Sequence, residues 1–339
     1  MPDPSPQLPR PRGPVSESVI AALRRDPGPV RVPSFDQLDA FADDLQLALW
    51  CCYELHYLSF SNVDDGWEWE PGLLAIRREL ERSFTARLVD EIGPVARVPR
   101  AEVGPALCDL ANGEGPSLSA HMLAHATRSQ MREFVVHRSI YQRKEADPHT
   151  WAIPRLRGRA KAAMVAIQHD EYGEGRAASM HAELFATTMR AFDLDPGFAA
   201  YVDAVPGVTL GTDNLVTMFG LHRAWFAACV GHLALFEMSS VGPMGRYAGI
   251  LRRLGVDAEA CRFYDVHVAA DEVHQHVALD ELVAGLLEDD PDRAGEVLFG
   301  ARALSEVERR FAVHLLDSWS DRRSSLRPTA AANRVRAAS

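Results

Sequence analysis

The sequence predicts an all-α protein whose core is a bundle of long helices. Apolar residues recur at helical spacing through most of the chain beyond residue 116, and no segment alternates apolar and polar residues for long enough to form a convincing strand. Proline-containing breaks such as Asp147-Pro148 and Asp290-Pro291 divide this pattern into separate helices. Seven core helices follow from these signals, at about residues 116–146, 154–173, 177–193, 208–239, 242–254, 257–288 and 293–320.

The composition limits the class of protein and its partners. With 339 residues, of which 47% are hydrophobic and 24% charged, the chain has the composition of a soluble globular protein with a large core. The net charge of -11 argues against a nucleic-acid partner, since such binding needs a basic surface. No signal-peptide core and no run of about 18 apolar residues occurs, so we predict no membrane partner.

The cysteines indicate a reduced, cytoplasmic protein. They form no C-x-x-C pair and no spacing typical of a zinc site. Three of them lie within apolar helical patterns, where a free cysteine behaves as a small hydrophobic residue. The five cysteines are Cys51, Cys52, Cys108, Cys229 and Cys261.

The chain divides into four parts by composition. Residues 1–33 are so rich in proline that we expect a mobile or wrapping arm without a lasting helix. Residues 34–115 are predicted to hold N-terminal accessory helices, and residues 116–320 the seven-helix core. Residues 321–339, rich in arginine and alanine, are predicted to form a disordered tail.

Two helices are predicted in the accessory region. Ser34, with Gln37 at the capping-box position, is expected to begin a helix that ends near Phe60, and the other helix spans about Pro71 to Ile92. One face of the first helix is aromatic and must be buried against the core or a partner subunit, which leaves a homodimer through these helices open. The aromatic residues are Trp50, Tyr53, Tyr57 and Phe60.

The sixth core helix carries a pattern typical of metal ligands, His267-x3-Asp271-x2-His274. At about 100° per residue, Asp271 lies about 40° and His274 about 20° from His267 around the helix axis, so the three side chains share one face over two turns. Hydrogen-bonded core histidines beside a solvated aspartate would show the same pattern. The choice depends on whether other helices supply further ligands.

Other helices offer carboxylates and one more histidine. Glu171 ends the helix that begins near residue 154, and His181 lies in the first turns of the next, so both could project into one cavity across the glycine-rich break. The first core helix offers Glu133, with His137 four residues later, and Glu145 near its end. Sequence geometry alone does not choose between these two glutamates. Carboxylates combined with imidazoles are typical of iron or manganese sites in helical bundles.

These residues resemble the motif of the haem-oxygenase-like diiron oxidases and oxygenases, also described as iron-containing redox enzymes. That motif has a glutamate, a second glutamate followed ten positions later by a histidine, and a distant H-x3-D-x2-H. Glu171 and His181 have the ten-residue spacing, and the sixth core helix supplies the last part. The resemblance places the first glutamate at Glu145 rather than Glu133. The implied metal ligands are Glu145, Glu171, His181, His267, Asp271 and His274.

The resemblance also implies a fold, an activity and partners. It covers roughly residues 116–320 and implies a seven-helix haem-oxygenase-like domain. The N-terminal helical pair is similar to a segment of the N-oxygenating members, whereas the cupin domain of some of them has no counterpart in this sequence. The implied cofactors are two Fe(II) ions with O2 as co-substrate, and the implied partners are a small-molecule substrate and an external electron donor. The implied reaction is N-oxygenation of a small amino acid or amine in specialised metabolism.

Two alternatives stay open. The same ligands are compatible with oxidative C–C cleavage or desaturation of an amino or fatty acid, and the choice of N-oxygenation depends on the N-terminal helices. A different class is a non-enzymatic helical protein that binds a metal or haem in the same fold. A count of non-haem iron, together with O2 consumption, would separate the enzyme from the second class.

Further residues are candidates for contacts to the ligands or to the substrate. Asp170 could accept a hydrogen bond from the ring N–H of a ligating histidine and so fix its tautomer. Arg223 could bind a substrate carboxylate through both guanidinium nitrogens, or form a structural ion pair with Glu237 or another acid. The full set is Tyr141, Glu133, His137, Asp170, Tyr172 and Arg223.

Overall fold

A computed structural model describes residues 5–35, 38–113, 117–329 and Val335. All regular secondary structure within these residues is helical, so the predicted all-α class is confirmed. The α-helices of these ranges are α1 (Pro14–Leu23), α2 (Asp43–Glu54), α3 (Pro71–Ile92), α4 (Arg100–Ala111), α5 (Leu118–His125), α6 (Arg128–Gln142), α7 (Asp147–Thr150), α8 (Gly158–Glu171), α9 (His181–Ala191), α10 (Gly207–Leu221), α11 (Phe226–Arg253), α12 (Ala258–His276), α13 (Ala284–Asp289) and α14 (Ala294–Ser320).

Helix α11 is the central helix of the core and packs along both α12 and α14. Two glycines let α11 and α14 cross at close range. A Cβ atom on Gly231 would lie 1.9 Å from the carbonyl oxygen of Val297, and one on Gly300 would lie 1.9 Å from that of Ala228. Any side chain at either position would force the two backbones apart. The crossing therefore fixes the position of α11 within the core.

The apolar character of α11 is explained by its burial. The span Arg223–Arg253 is long and apolar enough to cross a membrane by length and composition, and 67% of its most apolar stretch is buried inside the protein. This is the environment of the central helix of a bundle, which is hydrophobic on most sides.

Several boundaries of the core helices differ from the prediction. The predicted helix 116–146 is divided into α5 and α6, because Thr127 caps α6 through a capping box with Gln130. The predicted break near residue 240 is also wrong, since α11 continues through Pro243 and the break falls at Arg223–Trp225 instead. A proline inside a helix costs roughly 3 kcal/mol, and the burial of α11 on both sides of Pro243 offsets that cost.

The predicted helix 257–288 has a continuous path but not a uniform geometry. Helix α12 passes directly into a π-helical segment, Val277–Val283, and then into α13. The face that carries the predicted metal ligands lies entirely within α12, so its regular α-helical geometry keeps these side chains aligned.

The N-terminal part is more helical than the sequence predicts. The arm predicted for residues 1–33 contains α1, whose Val15 and Val19 are fully buried. Asp44 of α2 accepts hydrogen bonds from the backbone N–H groups of Val15 and Ser16, at 3.0 and 2.7 Å, and thereby caps α1 from a neighbouring helix. This cap, which depends on tertiary contact, is why local proline content did not predict the helix.

The accessory region predicted for residues 34–115 holds three α-helices, α2 to α4, within its described residues, in place of the predicted pair. The predicted start at Ser34 is wrong, because Ser34 is not helical and α2 begins at Asp43; Gln37, its expected capping-box partner, lies outside the described residues. Helix α3 has the predicted bounds Pro71–Ile92. Helix α4 was not predicted.

The aromatic face of α2 is covered within the chain. Trp50 and Tyr53 are fully buried. Trp50 Nε1 donates to Asp213 Oδ2 of α10 at 3.1 Å, and the Tyr57 hydroxyl donates to Thr217 Oγ1 of α10 at 3.3 Å. The accessory helices therefore dock on the core through this face, and the homodimer through these helices stays a prediction.

The C-terminal tail is ordered as far as Thr329, so the prediction of disorder for residues 321–329 is wrong. The cause is Glu133 of α6, a buried carboxylate that accepts hydrogen bonds from the tail. Ser324 Oγ donates to it at 2.5 Å, and Ser325 donates through its backbone N–H at 2.9 Å and its hydroxyl at 2.7 Å. Trp319 Nε1 donates to it at 3.0 Å. Beyond Thr329, all of the predicted tail except Val335 lies outside the described residues.

We predict that Glu133→Ala lowers the free energy of unfolding by about 2–4 kcal/mol, because buried donors on Trp319 and Ser325 would lose a charged acceptor. Glu133→Gln, which keeps one acceptor oxygen, should lose less. Urea denaturation measures both changes. A loss below about 1 kcal/mol in the alanine variant would show that the tail does not depend on this carboxylate.

Candidate metal centre

Seven side chains of the types that bind metals converge inside the core. They come from the end of α8, the start of α9, the middle of α11, one face of α12, and the short segment between α6 and α7. Each is at most 4% exposed to solvent. The seven are Glu145, Glu171, His181, Glu237, His267, Asp271 and His274, so the structure brings together all six residues of the predicted ligand set and adds Glu237.

The first group consists of Glu145, Glu171, His181 and His267. One nitrogen or oxygen atom from each lies within 4.8 Å of the corresponding atoms of the other three. His181 Nδ1 lies 2.6 Å from Glu171 Oε2, and His267 Nε2 lies 3.6 Å from Glu145 Oε1. Two carboxylates and two imidazoles at this spacing can surround a single cation.

The second group consists of Glu171, Glu237 and His274, which satisfy the same 4.8 Å limit. His274 Nδ1 lies 3.4 Å from Glu237 Oε2 and 3.7 Å from Glu171 Oε1. Glu171 therefore belongs to both groups and directs one oxygen toward each. A carboxylate in that position can bridge two cations. Asp271 is in neither group, but it lines the same cavity.

Unpaired buried atoms test whether a cation fits this cluster. Buried polar atoms in proteins almost always have a hydrogen-bond partner. Five atoms of the cluster have none among the described residues, and the close contact between His181 and Glu171 also lacks hydrogen-bond geometry. The five are Glu171 Oε2, His181 Nδ1, His267 Nε2, Asp271 Oδ2 and His274 Nδ1. All are atom types that bind iron, so the donor set fits bound iron ions.

Two of the histidines are oriented by hydrogen bonds on the side away from the cluster. His267 Nδ1 lies 2.8 Å from the carbonyl oxygen of Phe263, to which only an N–H can donate, so its Nε2 faces the cluster. His274 Nε2 lies 3.0 Å from Asp170 Oδ2, which leaves Nδ1 for the cluster. The predicted geometry for Asp170 is therefore present, and such partners fix the tautomer of ligating histidines.

Glu145 also has a partner that orients it. The side-chain amide of Gln142, at the end of α6, lies 3.0 and 3.1 Å from the two oxygens of Glu145, and donates to both when its nitrogen faces them. Glu133 and His137, by contrast, lie on the part of α6 that faces the C-terminal tail. His137 contacts Thr209 Oγ1 at 2.7 Å and Ser325 Oγ at 3.0 Å. Glu145, rather than Glu133, is the α6-proximal carboxylate of the cluster.

Protons balance the charge of these acids when no cation does. Burial lowers the pKa of His267, but Glu145 and Glu171 outweigh burial and raise this pKa to about 10. The pKa of His274 is raised to about 9, because Glu237 and Asp170 outweigh burial in the same way. Burial, followed by the charge of Glu237, raises the pKa of Asp271 to about 9. The cluster therefore binds protons tightly at neutral pH.

The cluster forms one wall of a small cavity of about 10 Å³, which is room for about one water molecule. The cavity is also lined by Tyr141, Ala146, His149, Leu233 and Phe236, none of which belongs to the two groups. His149 is fully buried, and burial lowers its pKa to about 4, so it is neutral at physiological pH. Its Nε2 lies 3.1 Å from His232 Nδ1, and its Nδ1 lies 3.5 Å from the Tyr141 hydroxyl.

Two of the predicted contact residues lie away from the cavity. Tyr172 donates its hydroxyl to Asp147 Oδ1 at 2.7 Å and so ties the end of α8 to α7. Arg223 is exposed in the short helix Arg223–Trp225 and does not line the cavity, so its predicted contact with a substrate carboxylate has no geometric support. The alternative ion pair with Glu237 is also excluded, because Glu237 is buried in the cluster.

The sequence analysis missed Glu237 as a candidate ligand and His149 as a cavity residue. Glu237 is the only acidic residue of α11, whose other residues are mostly apolar. Burying an isolated carboxylate in an apolar helix costs free energy unless the carboxylate has a partner. This pattern in the sequence could have indicated that Glu237 binds a cation or a basic group. His149 follows Glu145 by four residues, but the intervening break hides any helical relation between them.

Comparison with known proteins agrees with this chemistry. The family described as "iron-containing redox enzyme" matches residues 132–309, which is more than half of the chain and includes all seven cluster residues. A nitrosourea synthase from Streptomyces achromogenes subsp. streptozoticus is 25% identical over 148 residues. That match covers 44% of this chain and 31% of the length of the synthase.

We predict that metal binding at pH 7 releases about three protons, because His267, Asp271 and His274 hold protons below their raised pKa values and must lose them to bind a cation. The apparent affinity for Mn(II) should therefore rise as the pH is raised from 6.5 to 8.5. Calorimetric titrations in buffers of different ionisation enthalpy measure both effects. Binding that depends on neither buffer nor pH would contradict the assignment.

Glu237→Gln is expected to bind one Mn(II) tightly in place of two, because the second group would lose the charge of one of its two carboxylates while the first group stays intact. Glu272→Gln, an exposed neighbour on α12, is the matched control and should bind as the wild type does. Two tight sites in Glu237→Gln would exclude Glu237 as a ligand.

Proposed function

Because this chain belongs to the iron-containing redox enzyme family, we propose that it is a non-haem diiron oxygenase that oxidises the nitrogen of a small amine or amino acid. The family makes the chain an oxidoreductase. The observation that supports two irons is the buried cluster, in which two groups of ligand atoms share Glu171. Shared carboxylates of this kind hold two metal ions side by side in helical bundles.

The proposed ligands divide between two positions. Glu145, Glu171, His181 and His267 would hold one iron, and Glu171, Glu237 and His274 the other, with Asp271 beside Glu237. Two Fe(II) ions held there would supply electrons and open coordination positions for O2 activation. The histidine of the second position, His274, is hydrogen-bonded to Asp170, so its orientation does not depend on the metal.

The remaining lining residues would serve the substrate. Leu233, Phe236 and Ala146 form apolar walls that exclude water from the reacting atoms. Tyr141 and His149 are the polar groups of the cavity outside the proposed ligand set. A neutral His149 can accept a hydrogen bond from the Tyr141 hydroxyl, which leaves the phenol oxygen free to accept a hydrogen bond from a substrate N–H.

The charge of the cavity favours an amine over a carboxylate at the reacting end. None of the residues that line it is a lysine or an arginine, and four are carboxylates. A substrate carboxylate placed there would find no cationic side chain and would have to compete with four protein carboxylates for the metal ions. If the substrate is an amino acid, we therefore expect its carboxylate to lie outside the cavity and its side-chain nitrogen to enter.

N-oxygenation is favoured by similarity to the nitrosourea synthase, since a nitrosourea contains nitrogen bonded to oxygen. Conversion of an amine to a hydroxylamine consumes one O2, two electrons and two protons, and yields one water. The second pair of electrons for O2 must come from an external donor.

Oxidative C–C cleavage or desaturation by the same site is the alternative reaction. Haem is disfavoured, because buried carboxylates would face an apolar porphyrin.

We predict that protein loaded anaerobically with Fe(II), supplied with a reductant, 18O2 and a panel of small amines and amino acids, transfers one 18O atom to nitrogen. Mass spectrometry of the products detects the label and locates it by fragmentation. Glu171→Ala should abolish turnover, because it removes a ligand from both groups.

The control for that experiment is Glu174→Ala, an exposed glutamate just beyond α8 that should leave turnover unchanged. Iron-dependent O2 consumption with loss of a carbon fragment and no N–18O bond would establish the alternative reaction instead. Stoichiometric haem uptake without non-haem iron would overturn the diiron proposal.

A further inference from the structure

The segment that carries Glu145 is a buried turn made of charged residues. Arg143, Lys144 and Glu145 follow one another between α6 and α7, and none is more than 9% exposed. The turn has no helical hydrogen-bond ladder to hold Glu145 in place. Its position must therefore be fixed by what the neighbouring side chains contact.

Arg143 fixes one side of the turn. Its guanidinium donates to the carbonyl oxygens of Ala182 and, at 2.6 Å, of Pro196. It also lies 3.2 Å from Glu183 Oε1 of α9. These contacts tie the turn to the helix that begins with His181, another proposed ligand.

Lys144 fixes the other side through a buried charge cluster. Its ammonium pairs with Glu54, the last residue of α2, and lies 3.0 Å from Asp213 Oδ2 of α10. It also lies 4.4 Å from the centre of the Tyr57 ring. The ammonium is therefore held between two carboxylates, one from α2 and one from α10.

The composition of this cluster indicates that Lys144 is its essential member. Two carboxylates face one ammonium, and one oxygen of each carboxylate, Glu54 Oε2 and Asp213 Oδ1, has no hydrogen-bond partner among the described residues. Burial raises the pKa of Glu54 to about 7 even with Lys144 beside it. Of the 36 basic residues of the chain, only Lys144 and Lys161 are lysines. A compact ammonium with three donors suits a narrow site between two acids, where a planar guanidinium would need more room.

We propose that Lys144 is a positioning residue of the metal centre, whose ion pairs with Glu54 and Asp213 tie the ligand Glu145 to the accessory helix α2. Helix α2 is then part of the apparatus that shapes the metal site. The proposal rests on the diiron function proposed above. Residues that contact a metal ligand commonly orient the ligand and strengthen metal binding. Here that role would belong to ion pairs that connect the accessory helices to the core.

The test is Mn(II) binding by Lys144→Met, which keeps the length of the side chain and removes its charge. Free Mn(II) and a spin-coupled dimanganese signal are both measured by electron paramagnetic resonance. The wild type should bind two Mn(II) and show the coupled signal. The variant should bind the Mn(II) of the Glu145 group about 10–100-fold more weakly, keep the Mn(II) of the Glu237 group, and lose the coupled signal.

Two further variants separate positioning from folding. Lys161→Met makes the same substitution on α8, outside the proposed metal centre, and should bind two Mn(II) as the wild type does. The triple variant Lys144→Met, Glu54→Gln, Asp213→Asn removes every charge of the cluster, and such neutral replacements of buried ion pairs often preserve stability. It should fold, as urea denaturation measures, and still bind the first Mn(II) weakly.

Coupled Mn(II) binding of wild-type strength in the triple variant would overturn the proposal, because Lys144 would then serve only to neutralise Glu54 and Asp213. Wild-type protein that binds fewer than two Mn(II) would instead overturn the diiron function. The two failures are therefore distinguishable.

Discussion

Four carboxylates share one buried cavity, and the other features of the core follow from the need to balance their charge. An ionised carboxylate without a partner in such an environment costs several kcal/mol. The structure meets that cost with imidazoles, and the raised pKa values of His267 and His274 reflect the balance reached with protons. Two divalent cations would carry four positive charges against the four negative charges of Glu145, Glu171, Glu237 and Asp271. The six ligands predicted from the sequence contain three carboxylates and would leave one positive charge uncompensated. Glu237 therefore completes the charge balance, and its position on an otherwise apolar helix has a physical reason.

Such a cluster needs a rigid support, because like-charged side chains repel one another and would move apart on flexible segments. The support is the crossing of α11 and α14, where Gly231 and Gly300 allow contact between the backbones. That crossing fixes the helix carrying Glu237, and α12 packs along the same helix. Regular helix geometry then suffices for the three ligands of α12. It does not suffice for Glu145, which lies in a turn. There, the hydrogen bonds of Arg143 to carbonyl oxygens and the buried ion pairs of Lys144 replace helical hydrogen bonds.

A ligand or a helix could be predicted from the sequence when its position depends on contacts between residues close together in the chain. The shared face of His267, Asp271 and His274 could be predicted because helix periodicity alone places them. The choice between Glu133 and Glu145 could not be made from spacing, since it is decided by what faces each residue: a C-terminal tail about 190 residues away in the chain for Glu133, and the core cavity for Glu145. Helix α1 and the ordered tail were missed for the same reason, because their caps and anchors are tertiary. The interpretation of Arg223 failed because the helix break was placed near residue 240, whereas it falls at Arg223 itself.

The charge balance also bears on the protonation state of the substrate. An amine is protonated in water at neutral pH, but oxidation at nitrogen requires its lone pair. With two divalent cations bound, the four carboxylates have no net negative charge left to stabilise an ammonium ion in the cavity. His149, whose pKa is lowered to about 4, is too weak a base to remove a proton from an ammonium ion. The amine must therefore lose its proton on leaving water, and the cavity favours the free base because desolvation penalises the charged form. A cavity that is neutral when loaded with metal thus selects the form of the amine that can react.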